Sequence, residues 1–232
     1  MPVNDPSLWQ LVHYLRHKTA QRLPGGLAAP EREAALFSGV LCQMPIGLEP
    51  GETLAGDLGR GYLSPEERAA LDEEIAVCEA AIPPPVSLGE PTIAQLMEEW
   101  FHCRAGYTTA HTCLCYEDVI VRGLEGTLAE VRAALGAADG PAAETLRAME
   151  VALRAVGAWA ERYAALAQAA AEQESDALAE RDLLCIAEAC KQVPMRPARS
   201  FHEALQAVWF VHVAVGLSEL SDSSLSLGRA DQ

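Results

Sequence analysis

Residues 142–171 contain no internal proline and are dominated by alanine, with Leu146, Met149, Leu153, Val156 and Tyr163 returning at helical spacing along one stripe. A run with high helix propensity and one apolar side must bury that side against other helices. The segment therefore predicts a helix of an antiparallel bundle and makes the expected fold class mainly α.

The flanking sequence extends this pattern. Asp5-Pro6 supplies a cap and a first-turn proline for a helix bearing Leu8, Leu11, Val12 and Leu15, broken at Pro24-Gly25-Gly26. Pro30 opens a second helix, with Ala34, Leu36, Phe37, Val40 and Leu41 ahead of Pro45. Residues 46–62, rich in Gly and Pro, read as a loop. Ser64-Pro65-Glu66-Glu67 is a capping box for a helix running to about Ile82, where Pro83-Pro84-Pro85 stops it. Thr92 is expected to cap a short helix through Trp100 and Phe101, and further helices are expected over residues 116–135, 176–192 and 201–220. Ser200 is positioned to cap the last of them. Ser224-Leu225-Ser226-Leu227 alternates polar and apolar and predicts a single strand. A lone strand needs neighbours for its backbone hydrogen bonds, so a sheet is expected from another chain or from further sequence.

Charge and composition exclude several function classes. Against 17 bases stand 33 acids, a net charge of −16, the opposite of what a phosphate backbone requires. Nucleic acid is excluded as a partner. No apolar run approaches the roughly 18–20 residues that span a bilayer, and the first residues lack the pattern of a signal peptide, so no membrane is expected and the location expected is cytoplasmic. Seven cysteines, an odd number in a chain long enough to build a core, point to free thiols in a reducing compartment.

The densest set of potential ligands is His102, Cys103, His111, Cys113 and Cys115. Extended backbone would align His111, Cys113 and Cys115, but the paired ligand sets of a structural zinc site are missing, so the expectation is pocket-lining or buried thiols and no metal. His13 and His17 share a helix face and read as solvated; His202 and His212 read as hydrogen-bonded packing residues. Cys185 and Cys190 lack the spacing of a redox dithiol. Neither the glycine-rich phosphate loops, G-x-S-x-G nor H-E-x-x-H occurs.

The C-terminal part carries a longer pattern. Ile186-Ala187-Glu188-Ala189-Cys190, Val193-Pro194, Pro197-Ala198-Arg199-Ser200-Phe201-His202-Glu203-Ala204-Leu205-Gln206 with Trp209-Phe210, and Ser226-Leu227-Gly228-Arg229-Ala230-Asp231-Gln232 resemble, in order and spacing, the glycyl radical enzymes of the pyruvate formate-lyase type. His111 followed by Tyr116-Glu117 and Gly123-Leu124-Glu125-Gly126 is similar to that family's G-H-x-x-x-D-Y segment and the G-L-x-G after it. A weaker echo is Glu52-Thr53-Leu54-Ala55-Gly56-Asp57, where the family has an acid-Leu-Ile-Val-Gly-Asn turn. The resemblance is loose over residues 1–110, a divergent helical part, and strong over residues 111–232, together an incomplete N-terminal domain.

The resemblance implies the helical N-terminal portion of an α/β barrel, ending in its first barrel strand. Two loops meet inside such a barrel: one carries a cysteine, commonly as Gly-Cys-x-Glu, and the other a glycine that an iron–sulfur, S-adenosylmethionine-dependent activase converts to a radical. Enclosure keeps water and stray hydrogen donors from the unpaired electron. This chain contains neither loop, none of its cysteines stands in the setting of the thiyl centre, and no cofactor is expected within it. The resemblance further implies substrate contacts for His111 and for Ser224. Ser223 replaces the family histidine of the Asn-Gly-His-Ser segment and Cys115 the aspartate after His111, and both changes weigh against diol-dehydratase specificity. Arg229 and Asp231 point to one side of a strand and read as a structural pair, with no catalytic residue assigned.

The expected function is thus a truncated or split N-terminal part of a glycyl radical enzyme that cleaves C–C, C–O or C–N bonds through a thiyl radical, inactive by itself. The remaining part of such an enzyme or its activase is the expected partner, with self-association through exposed apolar surface. The alternative is a non-catalytic helical module that binds an intact family member or activase.

Overall fold

A computed structural model describes residues 6–81 and 114–219, which form seven α-helices with one isolated antiparallel bridge, Ile46 with Leu58. Helices α1 (Pro6–Ala20) and α2 (Ala29–Gln43) follow the apolar spacing: Leu8, Leu11, Val12 and Leu15 of the first and Ala34, Leu36, Val40 and Leu41 of the second are buried. The predicted capping box opens α3 (Pro65–Ala81), where Glu67 N–H donates to Ser64 Oγ at 3.1 Å and Ser64 N–H to Glu67 Oε2 at 2.8 Å. Tyr14 of α1 donates its hydroxyl to Glu74, tying α3 to the rest of the fold.

Helix α4 (Tyr116–Leu135) precedes α5 (Gly140–Ala171), the element around which α2, α4, α6 (Ala177–Gln192) and α7 (Phe201–Glu219) gather. At 32 residues, α5 is about 48 Å long. The alanines explain how so many helices share it, since Ala155, Ala160, Ala164, Ala167 and Ala171 are all buried and small enough for close approach. Bulk comes from an aromatic cluster: the Trp159 ring meets Tyr163 at 5.4 Å and Phe210 of α7 at 5.2 Å, both edge-on. The Trp159 indole N–H has no hydrogen-bond acceptor among the described residues. Arg162 fastens α2 by donating to the Leu41 and Met44 carbonyls at its C-terminal end.

The apolar stripe expected on α5 is corrected in its first half. Met149 is 43% exposed and Leu146 only half-buried, because the early turns border an open groove and the aromatic cluster lies farther along. On α7, Phe201, Trp209 and Phe210 do not share one face. Phe210 is fully buried, Trp209 half-buried, and Phe201 is 79% exposed. Asp176 caps α6, accepting from the backbone N–H groups of Leu178 and Ala179, and Ser200 Oγ accepts from Glu203 N–H at the start of α7. The short helix expected at 92–101 and the strand expected at 224–227 lie outside the described residues. No helix among the described residues is long and apolar enough to cross a membrane.

Candidate functional site

Four residues singled out by sequence, His111, Ser224, Arg229 and Asp231, lie outside the described residues, as do His102, Cys103 and Cys113. The described helices flank them closely. His111 stands five positions before Tyr116, where α4 begins, and Ser224 five positions after Glu219, where α7 ends. The two helices are joined directly, with Tyr116 Oη and His212 Nδ1 3.2 Å apart. Trp209 stacks on the same imidazole at 5.8 Å and an interplanar angle of 10°. Burial holds His212 below the ordinary histidine pKa and thereby favours its neutral form.

The loop at 51–57 is held on α7 by contacts that local sequence does not reveal. Gln206 is fully buried, and its side-chain amide pairs twice with Ala55, accepting from its N–H and donating to its carbonyl, both at 2.7 Å. His202 Nε2 lies 2.6 Å from the Thr53 carbonyl oxygen. Gly56 (φ +145°) packs against the Trp209 indole, where a Cβ would come within 2.3 Å of Nε1. Tyr163 donates its hydroxyl to the Asp57 carbonyl, and Tyr62 donates to Asp57 Oδ2 at 2.6 Å. Burial, followed by the nearby Asp57 carboxylate, pushes the Tyr163 phenol well above its usual range, so it serves as a fixed donor.

A third joint explains the Gly-Leu-Glu-Gly segment. Gly123 adopts φ +67° inside α4, breaking the helix into two arms. The freed N–H groups of Leu124 and Glu125 donate to the carbonyls of Pro194 and Met195, each at 2.9 Å, and Ala198 N–H donates to Ile120 O at 2.9 Å. A Cβ at Gly123 would sit 2.3 Å from the Met195 carbonyl oxygen, so glycine is required both by conformation and by backbone approach. Beside this joint Arg199 forms a forked pair with Glu203, the closest contact being 2.6 Å. The Arg199 guanidinium holds the largely buried Glu203 carboxyl below the usual carboxylate range.

The other candidates separate. His13 and His17 are exposed; Cys185 is exposed while Cys190 is buried, its thiol pushed up to about 12 by burial, which leaves it unreactive. Cys115 precedes α4 with its thiol 3.4 Å from Asp118 Oδ2. Among the described residues no three His, Cys, Asp or Glu side chains are grouped to hold a metal ion. What the described part provides is a scaffold that locks α4, α7 and the loop at 51–57 to one another.

Comparison with known proteins agrees with this scaffold. The sequence profile of the pyruvate formate lyase-like family matches residues 92–232. Isethionate sulfite-lyase from Desulfovibrio desulfuricans is 36% identical over 124 residues, covering 50% of this chain and 15% of that protein. Trans-4-hydroxy-L-proline dehydratase from Clostridioides difficile is 39% identical over 87 residues, 38% of this chain and 11% of that one. Among solved structures, that described for 1,2-propanediol dehydration in Roseburia inulinivorans superimposes with a TM-score of 0.70 at 23% identity, over 90% of this chain and 30% of the other. Glycerol dehydratase from Clostridium butyricum gives 0.68 at 20% identity, over 90% and 32%. The chain thus spans about a third or less of each of these proteins. It shares their helical fold, and its family match runs through both the His111 segment and the closing Gly-Arg-Ala-Asp-Gln. The chain belongs to the pyruvate formate lyase-like family and corresponds to an N-terminal portion of the glycyl radical enzymes.

Proposed function

We propose that these 232 residues act as the N-terminal helical part of a glycyl radical enzyme and complete a substrate pocket whose reactive centre is supplied by sequence outside them. The observation that carries this reading is the family match over residues 92–232 in a chain whose 124 residues alignable with isethionate sulfite-lyase cover only 15% of that protein. The chemistry supplied from outside is radical cleavage of a C–C, C–O or C–N bond, begun by a thiyl radical that a glycyl radical generates. An iron–sulfur, S-adenosylmethionine-dependent activase would install that glycyl radical on the remaining part.

In this proposal His111 and Ser224 contact the substrate, while Arg229 and Asp231 pair to shape the first barrel strand, which begins after α7. The described residues do mechanical work. The Tyr116–His212 bond, with Trp209 stacked behind it, ties the start of α4 to α7, and these two helices lead directly to His111 and to Ser224. Preorganisation of this kind matters because a pocket that encloses radicals loses rate steeply with small displacements of the groups that hold the substrate. The hydroxyl and imidazole that form this bond are themselves kept for positioning.

The test is turnover by parts. The purified chain, incubated without oxygen with an activase, S-adenosylmethionine and a reductant, is expected to cleave none of isethionate, trans-4-hydroxy-L-proline, glycerol or 1,2-propanediol. Addition of a polypeptide carrying the Gly-Cys-x-Glu and radical-glycine loops should give turnover of one substrate, abolished by His111→Ala. Equal turnover with and without the chain would overturn the proposal and favour a non-catalytic module.

A further inference from the structure

Helix α3 is attached to the fold differently from its neighbours. Helices α2 and α6, at 15 and 16 residues, each bury four side chains, whereas the 17-residue α3 buries one among its described residues, Ile75. Leu71 and Cys78, four positions before Ile75 and three after it, are half-buried on the same stripe. This stripe faces α1. Two open cavities run along the seam. One of about 430 Å³ lies between Leu11 and Leu15 of α1 and Leu63, Ala70 and Leu71, and the other, of about 680 Å³, between Tyr14 and Arg22 of α1 and Val77. A seam within a bundle interior is close-packed and leaves no gaps of this size.

Glu74 gathers polar contacts across the seam. The buried Tyr14 donates its hydroxyl to this carboxylate, and Lys18 Nζ stands 3.6 Å from Glu74 Oε2 and 5.4 Å from the centre of the Tyr14 ring. Burial, followed by the bond to Glu74, pushes the Tyr14 phenol above its usual range, so it remains a donor. The capping box, by contrast, joins Ser64 to Glu67 within α3 and does nothing to dock the helix.

We infer that α3 is a strap, latched to α1 through Glu74, that comes away as a unit and bares Leu11, Tyr14 and Leu15 while the helices gathered on α5 stay folded. One buried isoleucine offsets little of the cost of ordering 17 residues. A helix of that length is marginal alone in water, so release from α1 and loss of helix are one event. The Glu74 side chain is 58% exposed, which leaves its attraction to Lys18 open to screening, and added salt shifts the strap toward release. Tyr62 stays fixed by its bond to Asp57, which places the hinge at Leu63 and Ser64. The Trp159, Tyr163 and Phe210 cluster on the other side of the fold is fully buried and independent of this latch.

Hydrogen exchange of the whole chain at neutral pH, read peptide by peptide by mass spectrometry, tests the strap. Relative to their unstructured rates, amides of residues 68–80 should exchange at least about 100-fold faster than those of residues 155–167 in α5. Glu74→Ala should speed exchange in α3 by a further factor of about five, even though alanine is the better helix former. Raising salt from about 0.05 M to about 0.5 M should speed α3 exchange in the parent chain and leave the variant unchanged. Equal protection of the two helices would overturn the inference, because α3 would then open only when the whole body unfolds. Fast exchange in α3 that Glu74→Ala leaves unaltered would overturn the latch.

Discussion

Replacing Gln206 by Leu removes both hydrogen bonds of the Ala55 peptide at nearly constant side-chain volume. Gln206 and Ala55 are each fully buried, and no other bond to the Ala55 N–H or carbonyl exists among the described residues. Two buried groups lose their partners, each at a cost of about 1–3 kcal/mol, so the variant should lose about 2–6 kcal/mol. At the middle of that range, about 4 kcal/mol, a domain of this size should melt about 8–16 °C lower. Circular dichroism at 222 nm during heating, a wavelength set by helix, reads the shift, and urea unfolding should give a lower midpoint with an unchanged slope. The neighbouring substitution Leu205→Gln, on the exposed side of the same helix, should stay within about 0.5 kcal/mol of the parent. A fall of less than about 2 °C for Gln206→Leu would refute the argument, because the loop at 51–57 would then be held by something other than this amide.

Gly123→Ala should be more damaging than its size implies. It places a Cβ against the Met195 carbonyl and forces a positive φ on a residue with a side chain, for a loss of at least about 2 kcal/mol in the same melt. The Glu203 carboxyl, held below its ordinary value of 4.5 chiefly by its hydrogen bond from Arg199, contributes stability that is complete above that value and lost as pH falls through the lower folded one. Urea midpoints measured downward from pH 6 should therefore drop more steeply for the parent chain than for Glu203→Gln, and parallel curves would contradict the pairing. Ser64→Ala removes one half of the capping box and should cost about 1 kcal/mol, seen as faster amide exchange in the first turn of α3.

Helix positions were legible because they depend on neighbours in sequence. Ser64-Pro65-Glu66-Glu67 announces its own cap, and the spacing of Leu8, Leu11, Val12 and Leu15 announces a buried face. Met149 was misassigned because periodicity reports that a face is apolar, not how far along the helix its partner reaches. The joints were not legible, since each pairs residues distant in the chain: Gln206 with Ala55, Tyr116 with His212, and Leu124 with Pro194. Family resemblance drew attention to Gly123-Leu124-Glu125-Gly126 without its reason, which is a backbone contact to residues 194–196. His202 and His212 fit the packing role expected of them, although nothing local names Thr53 or Tyr116 as their partners.

Electron paramagnetic resonance after anaerobic activation bears most directly on the assignment of reactivity to sequence beyond these residues. The purified chain treated with an activase, S-adenosylmethionine and reductant should remain silent, and a glycyl radical doublet should arise only once a polypeptide with the radical-glycine loop is present. A doublet from the chain alone, accompanied by substrate turnover, would contradict the account.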